Sequence, residues 1–206
     1  MPSYHLTQEE QERNNTLYKE FRENYGHTAE GLGWNSLYDQ EKRFEILLDI
    51  IEFTGTGLHN ASILDVGCGF GDLYAYIAKN VSSLNYTGID INEQHLATAK
   101  KRHPKAAFIK GDILKEKLPR FDVVFSSGLF ATKVKDNEKF IKAMIARMVE
   151  LSKKGVAFNF LQKTFLVCNL AEYEKKEIYT FCKKQFKNVK MLDNYLPDDV
   201  TILIKK

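Results

Sequence analysis

Ile63-Leu-Asp-Val-Gly-Cys-Gly-Phe-Gly-Asp-Leu73 is the stretch on which the reading of this chain turns. A short apolar run (Ile63, Leu64, Val66) meets glycines at 67, 69 and 71, and an amphipathic segment follows. That order spells a buried strand, a tight turn and the start of a helix. Glycine is needed where the backbone takes positive φ or a ligand comes very close. The first turn of the helix leaves N–H groups free for polar ligand atoms. The stretch therefore reads as a cradle for a small molecule.

Outward from the turn, short apolar runs alternate with amphipathic segments. Strands are expected near 62–66, 86–90, 107–110, 122–126 and 155–161, with helices near 71–79, 93–102 and 137–151. This rhythm predicts a parallel sheet covered on both faces. Two more runs, near 188–194 and at 200–204, are separated only by Leu196-Pro-Asp-Asp199. That gap is too short for a crossover helix, so the last two strands should be antiparallel. Upstream, Thr7-x-x-Glu10 has capping-box spacing ahead of a polar helix over 8–24. Leu17, Tyr18 and Phe21 share one of its faces. A second helix over 37–53 carries Phe44, Leu47, Leu48 and Ile51 at the helical period. Asn169-x-x-Glu172 suggests another capping box, opening a lysine-rich helix to about 186. The expected organisation is a helical extension or lid at 1–58 and an α/β domain at 59–206.

The glycines fall as G-x-G-x-G, whereas the dinucleotide fingerprint is G-x-G-x-x-G. Asp72 occupies the third-glycine position of that fingerprint. A carboxylate there disfavours a pyrophosphate and tolerates a ligand without phosphate. Asp90 ends the second strand, where it can accept hydrogen bonds from both hydroxyls of an unphosphorylated ribose. Asp112-Ile113 leaves the third strand and can meet the edge and face of an adenine. Phe121-Asp-Val-Val-Phe-Ser-Ser-Gly128 is a buried strand opening into small residues.

These four segments, in this order and spacing, resemble the class I S-adenosylmethionine-dependent methyltransferases. The resemblance covers about residues 60–206. It implies a seven-stranded, mostly parallel, doubly wound Rossmann-like sheet with an antiparallel last strand. It also implies roles at matching positions. Asp65 would help hold the methionine amino group, and Gly67, Cys68 and Gly69 would line the methionine moiety with backbone. Asp90 would take the ribose, and Ile91 would pack on adenine. Asp112 would bond the adenine amino group, with Ile113 beside the ring. Ser126 would present its carbonyl near the sulfonium. Trp34, between Gly33 and Asn35, is a candidate to pack over cofactor or substrate. Cys68 is a backbone position in the pattern and not a nucleophile.

Composition bounds the rest. At 206 residues, with 44% hydrophobic and 28% charged, the chain can bury a sizeable core. No apolar run approaches the ~20 residues of a membrane span, and Met1-Pro-Ser-Tyr-His-Leu lacks signal-peptide character. Three scattered cysteines suggest neither a disulfide framework nor a zinc site. A cytoplasmic protein is expected. The net charge of +3 is too small to imply nucleic acid.

The acceptor is less legible. Methyl transfer from a sulfonium rests mainly on alignment, so no catalytic residue is assigned, and no metal. Ser126-Ser-Gly-Leu-Phe130 lacks the prolines of the tetrad found in nucleobase amino-methyltransferases. Ser126, Ser127 and Asn159 do not supply the carboxylates of the metal-dependent catechol type. The expected reaction is methyl transfer to an oxygen or nitrogen of a small molecule, yielding S-adenosylhomocysteine. A nucleic-acid methyltransferase and a cofactor-binding protein without turnover are the alternatives. Tyr18, Tyr25, His27 and Trp34 are candidates to line the pocket under the lid. Lys133, Lys135 and Lys163 follow strands four and five and suggest an anionic acceptor. Oligomeric state stays open.

Overall fold

The computed structural model describes residues 4–163 and 170–206. Its centre is a seven-stranded sheet. In chain order the strands are β1 (Ser62–Val66), β2 (Asn85–Asp90), β3 (Ala107–Lys110), β4 (Phe121–Ser126), β5 (Ser152–Leu161), β6 (Asn188–Leu192) and β7 (Asp199–Lys205). In space they run β3-β2-β1-β4-β5-β7-β6. The first five are mutually parallel, and β7 is antiparallel to both β5 and β6. The expected sheet, including its antiparallel last strand, is the sheet observed.

Helices α1 (Gln8–Tyr25) and α2 (Leu37–Thr54) precede the sheet. Helices α3 (Asp72–Ala78), α4 (Glu93–Arg102), α5 (Asn137–Leu151) and α6 (Lys175–Gln185) connect its strands. Neighbouring residues on a strand bury themselves in opposite layers. On β1, Ile63 joins the apolar cluster of α2, α3 and α4, while Leu64 and Val66 join that of α5 and α6. Val123 against Val124, Ala157 against Val156, and Leu203 against Ile202 divide in the same way. Both faces are therefore dry, which is why these strands read as continuous apolar runs.

The two N-terminal helices differ in kind. α2 lays the fully buried Leu47 and Ile50 on the sheet beside Ala157 and Leu203. It is also tied to β7 by a buried two-pronged ion pair, with Arg43 Nε donating to Asp199 Oδ1 at 2.8 Å and the second prong closing on Oδ2. On α1 only Glu10 is buried. α1 opens with the expected capping box: Glu10 N donates to Thr7 Oγ1 at 3.2 Å and Thr7 N to Glu10 Oε2 at 2.8 Å.

The other capping box is corrected. Asn169 lies outside the described residues, and α6 begins only at Lys175. The backbone at Tyr173 is engaged with the end of β5: Tyr173 N donates to Leu161 O at 2.9 Å, and Lys163 N donates to Tyr173 O at 2.8 Å. Extended pairing there delays the helix.

Candidate functional site

The glycine turn hangs from the ends of β1 and β2. Gly67 N and Cys68 N both donate to Ile89 O, at 2.8 and 3.2 Å. Gly67, Gly69 and Gly71 take φ of +74°, +53° and +80°, a region open to glycine and costly for other residues. Three left-handed residues in five reverse the chain and start α3 at Asp72. Gly69 N donates to Asp90 Oδ2 at 2.9 Å, and Asn92 N to Asp90 Oδ1 at 2.8 Å. Each Asp90 oxygen thus holds one backbone donor and keeps further acceptor capacity.

Asp65 lies buried at the end of β1, with the Tyr86 hydroxyl donating to its Oδ2 at 2.6 Å. Burial pushes its carboxyl up to about 7, against the pull of that hydrogen bond. Asp72 accepts from Gln40 Nε2 at 3.1 Å and has Arg102 Nη1 at 3.4 Å. Cys68 turns its thiol against Gly88, where a Cβ would sit 2.7 Å from Sγ. Burial raises that thiol well above its ordinary range. The thiol packs as an apolar group.

These residues face a cleft of roughly 1020 Å³, open solvent included. It lies at the end of β1, where the strand order switches from β2 on one side to β4 on the other, the usual ligand position in such sheets. α1 covers one side with Leu17, Tyr18 and Phe21, and the segment after it adds Leu32 and Trp34. Trp34 packs over the loop after β4: a Cβ on Gly128 would come within 2.5 Å of the ring. The Arg43 guanidinium sits 4.7 Å from the other side of the indole centroid.

Asp65, Gly67, Cys68, Gly69, Asp90, Ile91 and Trp34 all line this cleft. Asp112, Ile113 and Ser126 do not. Asp112 sits one residue past Gly111, whose N–H donates to Asp90 O at 3.0 Å. Its Oδ2 is buried without a hydrogen-bond partner among the described residues. Ile113 is buried in the layer of α5. Ser126 ends β4, with its hydroxyl donating to Val66 O at 3.1 Å. The lining serine is Ser127.

Of the cover candidates, Tyr25 points to solvent, and His27 packs edge-on against Phe70 at 5.3 Å outside the lining. None of Lys133, Lys135 and Lys163 lines the cleft. Sequence reasoning missed His95, Ser127, Leu32 and Gln40. His95, in the first turn of α4, puts its ring edge-on to Tyr18 and Phe70 at 5.0 and 5.2 Å. Its Nδ1 lies 3.7 Å from Asp90 Oδ2. Among the described residues lining the cleft there are three carboxylates (Asp65, Asp72, Asp90) and no lysine or arginine. No cluster of metal-ligating side chains occurs among the described residues.

Residues 63–155 match the family model described as a methyltransferase domain. Over that stretch the chain is similar to methyltransferase domains. Curated relatives match this domain. The phthiotriol/phenolphthiotriol dimycocerosates methyltransferase of Mycobacterium tuberculosis is 34% identical over 94 residues, covering 43% of this chain and 34% of that protein. The fatty-acid O-methyltransferase of Mycolicibacterium smegmatis is 29% identical over 92 residues, with the same shares. The match to each thus spans about a third of the relative's own length. Among solved structures, the methyltransferase domain and its N-terminal helices resemble magnesium protoporphyrin IX methyltransferase from Synechocystis PCC 6803, solved with bound S-adenosylmethionine. The TM-score is 0.69 at 14% identity, over 99% of this chain and 100% of that one. At that identity the likeness speaks for the fold.

Proposed function

We propose that this protein transfers a methyl group from S-adenosylmethionine to an oxygen or nitrogen of a small-molecule acceptor. The observation that carries the proposal is the charge of the cleft: three carboxylates beside a three-glycine turn, with no lysine or arginine among the described lining residues. S-adenosylmethionine brings a sulfonium and an ammonium against one carboxylate, so it is a net cation and carries an already activated methyl group. A pyrophosphate ligand would instead meet like charge, worth roughly 4 kcal/mol per close pair at an effective dielectric of 20.

The residues fit this donor. Asp90 keeps lone pairs for two ribose hydroxyls. Asp65 faces the amino end of the methionine part, and the Gly67–Gly69 backbone lines it. Ile91 packs on the adenine. Asp112 Oδ2, which accepts no hydrogen bond among the described residues and has Lys115 Nζ at 3.7 Å, is an acceptor suited to the adenine amino group, with Ile113 beside the ring. The end of β4 flanks the reacting methyl: Ser126 anchors the strand, and Ser127 and Gly128 face the cleft. α1 and residues 26–34 form the cover that excludes water and holds the acceptor in line, which is catalysis by orientation. Of the expected extension at 1–58, α2 serves as a layer of the sheet and α1 as the lid. The free thiols Cys68 and Cys182 suit a reduced, cytoplasmic setting.

Isothermal calorimetry tests the proposal. S-adenosylmethionine and S-adenosylhomocysteine should both bind. Asp90→Ala should weaken each by about ten- to a hundredfold, as expected for lost charge-assisted hydrogen bonds. No binding to protein with native circular dichroism would overturn it.

A further inference from the structure

Resting on the methyl-donor reading, we propose that the acceptor is a neutral apolar molecule, anchored through a hydroxyl or amine by the Ser127 hydroxyl. It is not a carboxylate or a phosphate ester. The part of the cleft beyond the carboxylates is walled by Leu17 and Phe21 from α1, Leu32 and Trp34 from the segment after it, and Leu129 and Leu170 from the opposite side. These walls offer apolar surface and no cation. The undescribed stretches do not change that count, because neither 1–3 nor 164–169 contains a lysine or arginine.

An anionic acceptor entering here would lose its hydration with no positive side chain to replace it. It would also approach Asp65 and Asp90. A neutral acceptor pays neither penalty, and each apolar wall it covers favours it.

Asn14, Tyr18, Gln40, His95 and Thr132 add polar groups to the lining, and beside Leu129 stands Ser127. Ser127 Oγ is buried and has no hydrogen-bond partner among the described residues. It stands directly after β4, between the carboxylate cradle and Leu129. A buried hydroxyl left unpaired is costly, and a ligand hydroxyl or amine would satisfy it. Ser127 accepts the proton side of the acceptor hydroxyl or donates to its second lone pair. That leaves one lone pair of the acceptor oxygen for the new C–O bond. As that bond forms, the C–S bond breaks with its electron pair remaining on sulfur, and the hydroxyl proton departs to water. The products are a neutral ether and a neutral thioether.

Trp34 is the only tryptophan of the chain and lines the cleft, so its emission reports occupancy. Calorimetry with S-adenosylhomocysteine comes first. Protein saturated with it is then titrated at pH 7 with 4-butylphenol, 4-butylbenzoate and 4-butyltoluene, and Trp34 emission is followed with excitation beyond the phenol band. The phenol should bind at least tenfold tighter than the benzoate. Ser127→Ala should weaken the phenol by about tenfold, the worth of one buried hydrogen bond, and leave the toluene unmoved. Leu17→Lys should narrow or reverse the preference for phenol over benzoate.

Equal or tighter binding of the benzoate by the wild-type protein overturns the inference, whether or not the variants fold. So does the absence of any response in protein that binds S-adenosylhomocysteine, and so does a Ser127→Ala loss that is the same for phenol and toluene. Failure to bind S-adenosylhomocysteine removes the donor reading, and the inference with it.

Discussion

Asp65 joins two opposing demands in one carboxyl. It is buried against Tyr86 with its pKa pushed up to about 7, whereas a carboxyl in the unfolded chain titrates near the ordinary 3.8. From about pH 4 to 7 the unfolded chain has released this proton and the folded protein retains it. Stability therefore falls as pH rises through that window and levels off above it. Asp65→Asn keeps an acceptor for the Tyr86 hydroxyl and abolishes the titration. The variant should melt like the wild type near pH 3.5 and higher than it at pH 8, by several degrees for a chain of this size. The same variant should bind S-adenosylmethionine more weakly, because a carboxylate partner for its ammonium is gone. Scanning calorimetry across pH, paired with binding titrations, checks both halves. A melting difference that does not change with pH would remove burial of this charge as its cause. The cost sits where ligand charge would offset it, as expected of a binding residue.

At the scale of elements, what was legible in the sequence is what repeats by rule. β1 and the turn at Gly67–Gly71 announced themselves because burial on both faces and left-handed backbone both leave marks on residue type. Asp90 and Asp112 were legible as acids at strand ends. The start of α6 was misplaced by five residues, because the pairing of Tyr173 with Leu161 is a tertiary event with no local trace. His95 and Ser127 were invisible for a related reason. Neither residue type signals a cleft, and only the packing of α1 over β4 and α4 turns those side chains into lining.

α1 packs Tyr18 edge-on to His95 at 5.0 Å, and its first turn is anchored by polar contacts. Glu10 Oε1 accepts from Lys135 N at 2.7 Å and from the Tyr4 hydroxyl at 2.7 Å, bridging the helix to the loop before α5. Burial alone would raise the Glu10 carboxyl, but the N–H groups of Lys135 and Thr7 and the hydroxyls of Tyr4 and Thr7 outweigh it and hold it at about 2. Its contribution is full above the ordinary 4.5 and is lost as pH falls from there towards 2. Acidification from pH 5 to 3 should therefore release α1 before the sheet. In hydrogen exchange, amides of Gln8–Tyr25 should lose protection while those of β1, β4 and β5 keep theirs. Glu10→Gln should show the weaker protection already at pH 7. Simultaneous loss in helix and sheet would mean that α1 is not a separate unit.

For the whole molecule, the two helical layers and the sheet form a floor, and α1 with residues 26–34 forms a roof. The roof is acidic: residues 1–34 hold 3 Lys/Arg and 6 Asp/Glu. The acidic roof and the carboxylates of the floor enclose the same cleft, so a cationic ligand between them relieves repulsion as well as filling space. Binding should then tighten the roof more than the floor. S-adenosylmethionine at a hundredfold excess over its Kd should add about 2.7 kcal/mol of stability by mass action, a rise of about 5–10 °C in Tm. The distribution of that gain is the sharper measurement. Exchange should slow most at α1, at the 29–34 turn where Leu32 N and Trp34 N both donate to Ala29 O, and in the glycine turn. It should change little in β6 and β7, which reach the cleft only through α2. A Tm rise with protection confined to the glycine turn and β2 would leave the donor site intact and remove α1 as its cover. Protection spread evenly through all seven strands would mean that the molecule tightens as one body.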